Sequence, residues 1–174
     1  MEELARKHDF LVLSGMEAST ELGDILVFGL DSYPRVLHRA RDLREFVVEA
    51  GGVMVAAHPF RYDLSQKPWL RPPRTLTIEQ ACARPIFQLV DAMEVVNSWA
   101  SEEDVEFAME VSRRLFLPGS AGSDAHIPQD IGLCATVFEN EIRSEEDLVR
   151  ELKLGKFTAL DRRQKEQKSP THWF

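Results

Sequence analysis

Metal-ligating side chains follow apolar or small-residue runs at three places in the chain. Glu17 comes after FLVLSGM, His58 after VMVAA, and Asp124 with His126 after PGSAG; Asn97 ends the run MEVVN in the same way. Carboxylates and neutral imidazoles together suit Zn²⁺, Mn²⁺ or Fe ions. A carboxylate such as Glu17 can bridge two ions, and an Asp-x-His pair aims both side chains to one side when its backbone is extended. Ions held in this way lower the pKa of a bound water toward neutrality and stabilise charge on a phosphoryl group. Taken singly, each residue has an ordinary structural role. Glu17 could be a first-turn helix acid, His58 a buried hydrogen-bonded histidine, and Asp124 a turn residue beside Ser123. Their common placement at strand ends is what argues for a site. His8, His38 and His172 lie at the polar start, on a charged helix and in the tail, and are given no role.

The elements that must position these residues can be read from hydrophobic period. Residues 10–14 (FLVLS) read as a short strand, 23–30 (GDILVFGL) as a second, and 53–57 (VMVAA) as a buried parallel strand. Between them, residues 35–50 carry apolar positions at helical spacing up to the stop at Gly51-Gly52. KPWLRPPRTLT reads as loop, 77–89 as helix, 92–96 (AMEVV) as strand. Ser101 to Asp104 is a capping-box-like start for a helix bearing Val105, Phe107, Ala108, Val111 and Leu115. A strand after Pro118 carries Asp124-x-His126, and LCATVF (133–138) is a further strand. A second Ser-Glu-Glu-Asp start at 144–147 then opens a helix ending at Gly155, and KFTAL closes the pattern. Strands alternating with helices predict a mostly parallel sheet, whose carboxyl ends share one rim. Pro59 predicts an extended backbone at His58.

The bulk numbers agree with a globular domain over residues 1–160 and a polar tail over 161–174. The chain has 174 residues, 44% of them apolar and 29% charged. A net charge of -8 argues against an extended nucleic-acid surface, without excluding a small anionic substrate held locally. Cys82 and Cys134 are too few for a disulfide framework, so both read as reduced thiols. With no signal-like start and no apolar run of about 20 residues, no membrane span is expected and the chain is placed in the cytoplasm.

In order, GMEAST-ELGDILVFGL, AAHPFR, MEVVN and AGSDAHIPQDIG resemble the PHP (polymerase and histidinol phosphatase) superfamily of metal-dependent phosphoesterases. The resemblance runs from about residue 10 to 160 and implies a distorted (β/α)7 TIM-like barrel. It implies that Glu17 bridges two metals, that His58 and the Asp124–His126 pair are ligands, and that Asp24 stands where the family has the His of Gly-His-x-Leu. It also suggests Arg61 as a phosphate-binding cation and Asn97 as a residue orienting ligand or substrate. The departures are the family's early His-x-His, Ser-Asp-Gly and Thr-Asp-His segments, which do not occur here; about 50 residues of barrel are missing by that measure. The implied fold is therefore a partial barrel lacking its first strands. Of three implied metal positions, the one formed by Glu17, Asp24 and His58 keeps all its ligands. A second keeps Glu17 and Asp124, and a third only His126.

The expected activity is hydrolysis of a small phosphorylated substrate by metal-bound hydroxide, with Zn, Mn or Fe as the ion. The alternative is a PHP-like binding or assembly domain without catalysis, which the missing ligands favour; a C–N-cleaving metal hydrolase barrel is a third reading. A barrel lacking strands exposes edges, so self-association through them is expected.

Overall fold

The structure is a computed structural model describing residues 5–7, 9–30, 32, 38–61 and 76–163. Five strands form one sheet in the order β1-β2-β3-β4-β5. They are β1 (Met16–Thr20), β2 (Gly23–Phe28), β3 (Val53–Ala56), β4 (Ala92–Asn97) and β5 (Gly119–Gly122). A separate pair joins β6 (Cys134–Phe138) to β7 (Phe157–Asp161). The helices are α1 (Ala40–Glu49), α2 (Ile78–Cys82), α3 (Glu102–Leu115) and α4 (Glu145–Leu154).

The architecture is mixed α/β, but the mostly parallel sheet expected from the alternation is half right. β3–β4 and β4–β5 are parallel, whereas β1–β2, β2–β3 and β6–β7 are antiparallel. The described strands do not close into a barrel. β1 forms one edge of the sheet, and between β5 and β6 a side chain replaces the ladder. The Thr136 hydroxyl donates to Ala121 O at 2.8 Å and accepts from Ala121 N at 2.9 Å.

Residues 10–14 are not a strand. The two-residue turn at Glu21-Leu22, with Gly23 at φ +123°, sets the register Met16↔Val27 to Thr20↔Gly23. Continuing that ladder would need Gly29, whose N–H instead donates to Glu145 Oε1 at 3.0 Å. FLVLS has no strand partner among the described residues; Phe10 N donates to Ala5 O at 3.1 Å, and the Phe10 side chain is 71% exposed. The helix expected over 77–89 is broken into α2 and a 3₁₀ turn at Pro85–Gln88, because Pro85 lacks the N–H that would continue it. Of the helix expected over 35–50, α1 occupies the second half; its first turn is capped by Glu21, whose Oε2 accepts from Ala40 N at 2.8 Å. Residues 33–37, most of the loop 67–77 and residues 164–174 of the expected tail lie outside the described residues.

Both expected Ser caps form: Ser101 with Asp104 as a reciprocal capping box, and Ser144 accepting from Asp147 N at 3.2 Å. At α4 the Asp147 carboxylate goes to Arg143 N rather than back to Ser144. The sheet has two covered faces. Ile25, Val27, Met54, Ala56 and Met93 pack with Leu43 and Val47 of α1 and Ala108 and Val111 of α3. Leu26, Val55 and Ala92 on the other face pack with Leu148, Val149 and Leu152 of α4 and with Phe138 and Phe157. An Asp91 carboxylate ties these layers, accepting from Arg44 Nη1 and Nη2 at 2.7 and 2.9 Å and from Met54 N at 2.9 Å. No helix among the described residues is long and apolar enough to cross a membrane.

Candidate metal centre

Strand register places the first two acids. Glu17 is paired with Leu26 and Asp24 with Ser19, so Glu17 and Asp24 lie diagonally on the Leu26 face of the hairpin. Asp24 also holds the end of β3, its carbonyl accepting from Ala57 N at 2.9 Å. His58 follows, and regular alternation would send it to the opposite face, with Ile25 and Ala56. Its backbone departs from that path at φ +28°, so the extended conformation expected from Pro59 is not adopted. The bend carries the imidazole to Glu17, with Nε2 3.1 Å from Oε1. Ligand atoms of Glu17, Asp24 and His58 all lie within 4.8 Å of one another. His58 is shielded, its side chain 8% exposed, while Glu17 at 45% opens the cluster to solvent. Two carboxylates and an imidazole at this separation are a donor set that fits a divalent cation.

The turn that presents His58 is held from beneath. Arg61 N donates to His58 O at 3.1 Å, and Phe60 is buried between Phe87 and Phe107, the latter edge-on at 5.0 Å. Glu94 holds it from the side. Its Oε2 accepts from the His58 backbone N at 2.8 Å and from Asn97 Nδ2 at 3.0 Å. This carboxyl is buried, which pushes its pKa up; the bonds from His58 and Asn97 pull only partly against that. Gly122 of the neighbouring strand makes room for it, since a Cβ there would stand 2.5 Å from Glu94 Oε1. Glu94 was not singled out from the sequence. A charged residue inside the otherwise apolar run AMEVV was the available signal.

The remaining candidates form a second group beside the first. Asn97 Oδ1 accepts from Arg61 Nη2 and from Trp99 N, both at 3.0 Å. The same guanidinium nitrogen is ion-paired with Asp124. Asp124 has φ +47°, so the Asp-x-His segment is not extended. His126 is 66% exposed; its Nδ1 donates to Asp124 O at 2.8 Å and lies 3.9 Å from Asp124 Oδ1. Trp99 Nε1 donates to the same carbonyl at 3.1 Å, and the His126 ring stands nearly perpendicular to the indole at 5.7 Å. The structure thus brings Glu17, Asp24 and His58 into one cluster, and Arg61, Asn97 and Asp124 into an adjoining one. His126 lies at the surface.

Residues 102–157 match the family model described as PHP-associated. No curated protein matches the chain. Among solved structures, PsfC from Pseudomonas syringae is 19% identical, with a TM-score of 0.64 over 88% of this chain and 61% of PsfC. That likeness establishes a shared fold, and this chain spans about three fifths of the length of PsfC. A protein provisionally assigned as a metal-dependent phosphoesterase, from Bifidobacterium adolescentis, is 26% identical, with a TM-score of 0.41 over 69% of this chain and 38% of that one.

Proposed function

We propose that the chain, whose residues 102–157 relate it to the PHP superfamily, is, or is part of, a metal-dependent phosphoester hydrolase acting on a small phosphorylated substrate. The convergence of Glu17, Asp24 and His58 carries this reading. In it, the five-stranded sheet with the β6–β7 pair is a partial barrel of PHP type, and these three side chains hold the ion. The ion, Zn, Mn or Fe, supplies an activated water and charge stabilisation at the phosphoryl group.

The protein's own groups do the rest. Glu94 fixes the His58 backbone, so the imidazole is aimed before any ligand arrives. Arg61, steadied by Asn97, offers a guanidinium fork suited to phosphate oxygens. Asp124 holds that cation in place and, when a phosphate draws Arg61 away, becomes free to ligate. The edge of β1, which no described strand pairs, would pair with a second copy.

A binding domain without catalysis is the second reading, favoured by the engagement of Asp124 with Arg61 and the exposure of His126. Metal content by mass spectrometry, after loading and dialysis, tests both. At least one Zn, Mn or Fe per chain is expected, lost in His58→Ala and reduced less in Asp124→Ala. Hydrolysis of an aryl phosphate by the loaded chain then separates enzyme from binding domain. A folded chain that retains no metal after loading overturns the proposal.

A further inference from the structure

Trp99 is 57% exposed, yet its indole is tied to the rim. Its backbone N–H is bound to Asn97 Oδ1 at 3.0 Å, its indole N–H to Asp124 O at 3.1 Å, and His126 meets the indole at 5.7 Å. A large apolar ring left half in water forfeits burial that the core could have used. Here the ring is nonetheless held at two points, by its N–H on Asp124 O and by His126, on a backbone that Asn97 fixes, so less freedom remains to be lost on contact with a ligand. Both of its hydrogen-bond acceptors belong to the residues that also hold Arg61. The indole therefore stands one residue away from the cation read as the phosphate binder.

From this placement we infer that Trp99 is a stacking platform and a specificity-determining residue. It selects phosphoesters whose organic part is a planar aromatic ring, a nucleobase or an aryl group, over acyclic or sugar phosphates. Resting on the reading of Arg61 as the phosphate-binding cation, the ring lies on Trp99 while the phosphate reaches Arg61. His126, perpendicular to the indole, braces the platform, which gives that exposed residue a role other than metal ligation.

The test compares two non-hydrolysable probes that differ only in the ring, phenylphosphonate and methylphosphonate, by isothermal titration of the full chain loaded with Mn²⁺. The wild-type chain is expected to bind phenylphosphonate roughly tenfold more tightly. Trp99→Ala should reduce that ratio to about one by weakening only the phenyl probe, and Trp99→Phe should keep most of it. Arg61→Ala should weaken both probes alike and leave the ratio intact. Equal affinities in the wild-type chain, or a ratio unchanged in Trp99→Ala, overturn the inference while leaving the phosphate reading in place. A preserved ratio with no effect of Arg61→Ala or of Mn²⁺ sinks the phosphate reading but supports the platform. Binding of neither probe overturns both. Adenosine 5′-monophosphate in EDTA sorts the ring: tighter binding than phenylphosphonate identifies a nucleobase, weaker binding a smaller aryl group.

Discussion

Replacing Gly122 by alanine tests whether Glu94 is the fixed point around which the site is built. The new Cβ would stand 2.5 Å from Glu94 Oε1, where ordinary contact begins at 3.4 Å, so the carboxylate must retreat by about 0.9 Å. The end of a side chain can often move that far cheaply, but this one is buried. Its other oxygen holds the His58 amide at 2.8 Å and the Asn97 amide at 3.0 Å. A retreat of that size carries both donors past hydrogen-bonding distance. At about 1–3 kcal/mol for each of the two buried groups left unsatisfied, the variant should lose about 2–6 kcal/mol. Gly122 has no positive φ, so backbone strain adds nothing. Urea unfolding of the metal-free chain measures the loss. The control adds Gly122→Ala to Glu94→Ala, in which the opposing oxygen is gone and the cost should fall below about 1 kcal/mol. Equal costs in the two backgrounds would refute the account.

Two further changes probe the same layers. Asp91→Ala removes the acceptor of the buried Met54 N–H together with the partner of Arg44, and should cost about 2–3 kcal/mol. Arg44→Ala leaves Met54 satisfied and should cost about 1 kcal/mol in the same denaturation series; a larger loss there than in Asp91→Ala would contradict the assignment. Glu94 carries a prediction in pH. Because burial raises its pKa in the folded chain, its stabilising, protonated state is fully present below the ordinary value of 4.5 and is lost as pH rises through the raised one. In EDTA, Glu94→Gln should therefore gain on the wild-type chain as pH climbs through that window to neutrality. A stability difference that stays flat across the window would exclude Glu94 as its source.

Much of this organisation was legible in the chain. The buried runs at 53–56 and 92–97, the Ser-capped helices and the Gly155 stop all rest on local chemistry, which survives packing unchanged. Glu17 and His58 could be named because each follows an apolar run, and Asp24 only through the resemblance to the PHP superfamily. Pairing direction was less accessible. Antiparallel β1–β2 and β2–β3 depend on where a two-residue turn falls and on which acceptor takes Gly29 N, a residue 116 positions away. The left-handed backbone at Asp124 was also hidden, because motif spacing constrains side-chain direction only on an extended backbone.

The two non-glycine positive φ values on this rim fall on two residues named as ligands, His58 at +28° and Asp124 at +47°. Such conformations cost about 1–3 kcal/mol each and persist only where the surroundings over-determine them. Around His58 the restraints are Glu94 and the Phe60 anchor; around Asp124 they are the Trp99 and His126 donors to its carbonyl and the Arg61 ion pair. The carboxylate and the backbone can be separated at position 124. Asp124→Ala and Asp124→Gly both release Arg61, but only glycine tolerates the left-handed backbone without a Cβ penalty. Asp124→Gly should therefore be the more stable by about 1 kcal/mol in urea, despite the entropy that glycine adds to the unfolded chain. If alanine proves equal or better, the turn relaxes once Arg61 is released. The ion pair, rather than the Trp99 and His126 bonds to the carbonyl, would then be what holds Asp124 in its strained conformation.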